Sequence, residues 1–196
     1  MPIEKFREIM MDIHPYVTAI HLREKQKTAK ELFHEVQLLT SANIPRTKIM
    51  INDRLDVALV AKARGVQLAF HSLEPASVKK NFPLLRVGQS IHSYEEAVDA
   101  KINGADYVIY GHIFSTQSKL GMSPKGLEEL SRLTKLDIPV IAIGGITPEN
   151  TAEVLRAGAS GIAVMSGILD ASDPLAAVKS YIYELKDGDG KSEKYI

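Results

Sequence analysis

The segment Gly111-His112-Ile113-Phe114-Ser115-Thr116-Gln117-Ser118-Lys119 gathers an imidazole, hydroxyls, an amide and an ammonium within a few residues. It follows Tyr107-Val108-Ile109-Tyr110, an apolar run that reads as a buried strand. In parallel α/β folds the C-terminal ends of strands carry the chemistry. Histidine is the side-chain type whose proton moves both ways near neutral pH, so His112 is the candidate acid/base. A lone histidine beside a strand is more often structural, and His14, His21, His34, His71 and His92 keep that default reading.

A second group suits an anion. Ile143-Gly144-Gly145-Ile146-Thr147-Pro148 reads as a strand end, paired glycines and a capped helix start. Glycines let backbone N–H groups approach a phosphate closely. The next unit ends in Met165-Ser166-Gly167. Loops after the last two strands of a barrel form its recurring phosphate site, which points to Gly144, Gly145, Ser166 and Gly167. After earlier strand candidates come Arg23 and Lys25, which suit an anion or simply a solvated loop. Asn52 and Asp53 suit substrate positioning, and Asp53 equally suits a helix cap.

The elements that position these residues alternate. Strand candidates lie at 16–20, 48–51, 66–70, 86–90, 107–110, 140–143 and 161–165. They are apolar and rich in Val and Ile, as in strands covered on both faces. Thr28 with Glu31 and Ser93 with Glu96 fit capping boxes, and Thr147 an N-cap. Gly65, Gly104 and Gly158 suit helix C-caps. The opening segment 2–12 is helical in pattern, with Ile3, Phe6, Ile9 and Met10 on one face. Repeated β-α alternation predicts an α/β fold with a parallel sheet. A single domain is expected over 1–186 with a polar tail at 187–196.

Lys+Arg and Asp+Glu number 24 each in 196 residues, so no charge excess favours nucleic acid or an anionic membrane as a partner. With no cysteine there is neither a disulfide nor a thiolate nucleophile. The chain start lacks a signal-peptide pattern and no apolar run reaches spanning length, so a cytoplasmic location is expected.

Taken in order, His21-Leu22-Arg23-Glu24-Lys25, Ile51-Asn52-Asp53-Arg54, Gly104-Ala105-Asp106-Tyr107, Gly111-His112-Ile113-Phe114, Ile143-Gly144-Gly145-Ile146 and Met165-Ser166-Gly167 resemble the thiamin phosphate synthase superfamily. The resemblance runs from about Ile13 to Tyr183 and looks most like the TenI branch, the thiazole tautomerases. Two departures point there. Thiamin phosphate synthases usually carry proline where this chain has His112. Ser72 stands where the synthases have an aspartate that helps hold magnesium, leaving only Asp53 of that pair.

The resemblance implies a TIM (β/α)8-type barrel of parallel strands, its first strand missing from this chain. It implies a tautomerase that aromatises a carboxylated dihydrothiazole-ylidene ethyl phosphate to the carboxythiazole ethyl phosphate of thiamin biosynthesis. No metal or cofactor is needed for that proton transfer. His112 is expected to be catalytic. Gly144, Gly145, Ser166 and Gly167 are expected to hold the phosphate. Arg23, Lys25 and Lys119 are candidates for the substrate carboxylate, with Thr116, Gln117 and Ser118 orienting the ring and Asn52 binding substrate. The implied partner is the small-molecule thiazole phosphate, and the implied assembly is a homodimer. The alternatives are a magnesium-dependent thiamin phosphate synthase and a non-catalytic binder of phosphate ligands.

Overall fold

A computed structural model describes residues 1–119 and 121–187. The side chain of Ser118 and the tail expected at 187–196 lie outside the described side chains and residues, except that the backbone of Asp187 ends the last helix.

The apolar runs form seven parallel strands: β1 Ile20–Leu22, β2 Ile49–Asn52, β3 Gly65–Leu68, β4 Arg86–Ile91, β5 Tyr107–Gly111, β6 Val140–Ile143 and β7 Gly161–Ala163. They pair in sequence order into one sheet, curled as a TIM-like half-barrel. β1 and β7 are its two edges, where closure into a (β/α)8 barrel requires an eighth strand. The helices are α1 Ile3–Ile13, α2 Ala29–Ser41, α3 Leu55–Val60, α4 Pro75–Asn81, α5 Tyr94–Ile102, α6 Gly126–Leu133, α7 Pro148–Arg156, α8 Ser166–Leu169 and α9 Pro174–Asp187.

Alternation along each strand sorts side chains between two layers. On β5, Val108 and Tyr110 join the large core under the helices, while Tyr107 packs with Met50 and Ile141 on the inner face. That inner face is partly polar. Gln67 is only 2% exposed and donates from Nε2 to Ser90 Oγ at 3.0 Å. Gly88 makes room for it: a methyl there would overlap Gln67 Oε1 and come within 2.5 Å of the Tyr107 hydroxyl.

The capping signals hold, with one refinement. Thr28 and Glu31 form a full capping box, and Thr147 forms one with Asn150. Ser93 caps α5 through the Glu96 N–H, but Glu96 Oε2 accepts from the His92 N–H instead of closing the box. Gly104 and Gly158 take positive φ after α5 and α7 as expected.

Three expectations need correction. The first strand begins at Ile20, because residues 14–16 wind into a 3-10 turn containing Pro15. The third ends at Leu68 and the seventh at Ala163, so Phe70 and Met165 lie in exposed loops. Gly65 is not a helix cap. Lys62 takes the left-handed turn after α3, with φ 52°, and Gly65 opens β3.

The role of Gly65 is close approach. A β-carbon there would overlap the carbonyl of Arg86 on the neighbouring strand, which is backbone and cannot swing away. Gly65→Ala is therefore expected to destabilise the protein by about 2–3 kcal/mol, in the range of overpacked cores. Urea unfolding checks this, with a midpoint unchanged from wild type as the contrary result.

Candidate functional site

The parallel sheet brings the C-terminal ends of all its strands to one rim, so residues scattered over the sequence share a face. β5 delivers His112 through a cis Gly111–His112 peptide. The segment beyond it is clamped on both sides. Ile113 N–H donates to Ile143 O and Phe114 N–H to Gly144 O, both at 3.0 Å. From the other side, Lys125 N–H donates to His112 O at 2.9 Å and Gly126 N–H to Ile113 O at 3.0 Å.

The glycine pair is what permits this approach. A β-carbon at Gly144 would lie 2.6 Å from His112 Cβ, and one at Gly145 would lie 2.5 Å from Ser115 O. Both glycines have positive φ, 98° and 67°, which side chains rarely adopt. Gly144 and Gly145 thus have a packing role, separate from the anion-binding role expected from their spacing.

The carbonyls of this turn are held one by one. Gly144 O accepts from Phe114 N–H, Gly145 O from Asn150 Nδ2 at 3.0 Å, and Ile146 O from the Tyr181 hydroxyl at 3.0 Å. In a trans peptide the N–H points opposite to the C=O. Fixing the first two carbonyls therefore fixes the opposite direction of the Gly145 and Ile146 N–H groups. Among the described residues these two N–H groups donate to no backbone acceptor. Ser166 and Gly167 form the first turn of α8, where N–H groups lack intrahelical partners.

The imidazole of His112 is 5% exposed, and Nε2 lies 2.9 Å from Ser123 O. A carbonyl only accepts, so Nε2 carries the proton in this contact. In the neutral ring Nδ1 is then the basic nitrogen. The same bond ties the 123–126 segment to the strand end, so His112 also has a structural task.

The candidate carboxylate, Asp53, is engaged elsewhere. Asp53 has φ 64° and donates its N–H to Gln67 O at 2.9 Å. Its Oδ1 accepts from Ser72 Oγ at 2.5 Å, and its Oδ2 lies 3.6 Å from His71 Nε2. Ser72 Oγ also accepts from Ala69 N–H at 2.9 Å, which folds the loop after β3. Asp53 does not cap α3, because that N-cap position is Arg54. A single carboxylate so occupied is a poor donor set for a hard cation such as magnesium, which takes oxygen ligands and bridges carboxylates to substrate phosphates. Among the described residues no cluster of three or more His, Asp or Glu side chains suits a metal ion.

The cations at the rim divide by partner. Lys27 is bonded to Glu35 and lies 3.6 Å from Glu24; the hydrogen bond to Glu35 raises its pKa. Arg54 is paired with Asp56. Arg23, Lys25 and Lys119 are exposed, and none of the ion pairs found among the described residues includes them. Lys119 and Thr116 line a depression of about 260 Å³ together with Ser115, Gln117, Gly121 and Met122. Asn52 ends β2 half-buried and in register with Gln67. Direct contacts bring His112, Ser115, Gly144 and Gly145 together; no such contact links Arg23 or Lys25 to them among the described residues. Sequence reading missed Tyr181 and the pairing of Ser72 and His71 with Asp53. Tyr181 gives no sequence signal, since it looks like any apolar residue of an amphipathic helix.

No helix among the described residues is long and apolar enough to cross a membrane. The family model described as thiamine monophosphate synthase, TMP-TENI, matches residues 4–168. The thiamine-phosphate synthase of Chlorobium phaeobacteroides is 38% identical over 173 residues, 85% of this chain and 83% of that protein. That of Chlorobium luteolum is 42% identical over 169 residues, covering 82% and 78%. Among solved structures, thiamine phosphate pyrophosphorylase from Pyrococcus furiosus superposes with a TM-score of 0.80 at 33% identity, covering 97% of this chain and 92% of that one. A 3-hexulose-6-phosphate synthase, at TM-score 0.72 and 20% identity, shares the fold. With the model spanning most of the chain and relatives well above 30% identity over most of their length, this protein belongs to the thiamine monophosphate synthase/TenI family.

Proposed function

We propose that this chain is a thiazole tautomerase, an isomerase that aromatises a carboxylated dihydrothiazole-ylidene ethyl phosphate by proton transfer. The observation that carries the reading is His112, whose protonated Nε2 rests on Ser123 O and leaves Nδ1 as the base. Nδ1 takes the ring proton. The imidazolium so formed is stabilised by the Ser123 carbonyl dipole, and it returns a proton to the exocyclic carbon. One proton leaves one carbon and one arrives at another, so the oxidation state is unchanged. Positioned acid/base catalysis of this kind contributes roughly 10²–10⁴-fold. Aromatisation supplies the driving force, so the protein has mainly to hold the substrate and place the base.

The phosphate is assigned to the N–H groups of the Gly144–Gly145 and Ser166–Gly167 turns. Arg23, Lys25 and Lys119 are assigned to the substrate carboxylate as exposed cations of the rim. Thr116 is assigned to the ring and Asn52 to positioning the substrate.

A second reading, the thiamin phosphate synthase itself, is favoured by the names of relatives that are 35–42% identical. It requires magnesium to manage a pyrophosphate leaving group. Against it stands Asp53, with one oxygen taken by Ser72 and the other beside His71.

Three measurements separate the readings. His112→Gln and His112→Ala should each lower turnover of the dihydrothiazole substrate by roughly 10²–10⁴-fold while the carboxythiazole ethyl phosphate still binds. Near-wild-type turnover in both variants would remove His112 from the mechanism. Treatment with a chelator should leave tautomerisation unchanged. Magnesium-dependent formation of thiamin phosphate by the purified chain would instead establish the second reading. Finally, Ser72→Ala should cost about 1–2 kcal/mol of unfolding free energy by leaving Asp53 Oδ1 and the Ala69 N–H without their partner, with turnover retained. A large loss of turnover at wild-type stability would place the Asp53 cluster in the chemistry.

A further inference from the structure

Tyr181 lies on α9, far in sequence from the rim, and is 2% exposed. Its hydroxyl donates to Ile146 O at 3.0 Å, a buried bond across 35 residues. The same oxygen sits directly beneath Gly167, where a β-carbon would overlap it. A single phenol therefore touches both turns assigned to the phosphate. Phe114 and Asn150 hold the other carbonyls of the first turn, but among the described residues neither is hydrogen-bonded to the second. Gly167 lacks a side chain at the one place where the hydroxyl must pass. Burial, with a smaller contribution from Glu149, raises the phenol pKa, so the group remains a donor through the neutral range.

We propose that Tyr181 is a positioning residue of the anion site, whose hydroxyl fixes the Gly144–Ile146 turn and the Ser166–Gly167 turn relative to each other so that they grip one phosphate. The proposal rests on the phosphate-binding reading of those turns. Tyr181 does not touch the reacting atoms; it sets the spacing of the N–H groups that hold the substrate's far end. Its removal should therefore act on binding and leave the proton-transfer step alone.

The test uses the full chain. Inorganic phosphate is titrated into wild type, Tyr181→Phe and Leu185→Ala, and steady-state tautomerisation is measured on the same preparations. The Phe variant keeps the ring and its packing and loses one oxygen. It should bind phosphate roughly tenfold more weakly, the effect of about one hydrogen bond. KM for the phosphorylated substrate should rise by a similar factor while kcat stays within about twofold. Leu185, buried one turn further along α9, serves as the stability control: Leu185→Ala should lower the melting temperature more and leave phosphate affinity unchanged. Wild-type phosphate affinity in Tyr181→Phe, or an equal loss of affinity in Leu185→Ala, would overturn the proposal. Absence of phosphate binding by the wild type would overturn the anion-site reading and this one with it. If wild type binds phosphate but does not turn over the substrate, only the tautomerase reading fails, and the Phe comparison still decides the role of Tyr181.

Discussion

The exit of β5 and the exit of β6 lie closer together than side chains allow. Ile113 and Phe114 donate to the carbonyls of Ile143 and Gly144, and neither Gly144 nor Gly145 has room for a β-carbon. This contact extends the β5–β6 ladder beyond the strands proper. It forces the backbone of 112–115 to lie over the glycine turn, and thereby puts the imidazole beside the candidate phosphate loop. Everything at the rim is arranged around it. The 123–126 segment closes over the top through His112 O and Ile113 O, and the ring of His112 is pinned by Ser123. A histidine held by two backbone segments loses little further freedom when a substrate arrives, which is the form of preorganisation that acid/base chemistry uses.

The inner face of the half-barrel carries polar groups beneath the site. Gln67 is buried on the inner face, and its amide is bonded to Ser90 on the neighbouring strand. Gly88 gives it and Tyr107 their space. Outside the sheet the packing is apolar and continuous, from Ile20 and Leu22 through Val108 to Ile162. The two faces of the sheet thus carry different duties: the outer one supplies cohesion with the helices, and the inner one supplies polar lining.

The loop after β3 is tied together through Asp53. The Ser72 hydroxyl donates to Asp53 Oδ1 and accepts from the Ala69 N–H. The Asp53 carboxylate is thereby engaged by the loop that follows β3.

Much of this was legible in the amino-acid sequence. The apolar runs rich in Val and Ile gave the seven strands and their parallel order, because strands buried on both faces leave few other readings. Thr28, Ser93 and Thr147 marked helix starts, because capping is local chemistry that depends on near neighbours only. His112 and the paired glycines stood out because strand-end positions are predictable from the β-α repeat. Local signals failed where the cause was not local. Gly65 looked like a helix cap, but its reason is the Arg86 carbonyl on the next strand. Nothing local marks Tyr181, whose hydroxyl reaches a turn 35 residues away. Which nitrogen of His112 holds the proton, and which rim cations are already neutralised, depended on Ser123, Glu35 and Asp56. Sequence by itself determined the residue types and their order around the rim. Only the tertiary structure decided their partners, because hydrogen bonds and close contacts between strand ends act over a few ångströms in space, whatever their separation along the chain.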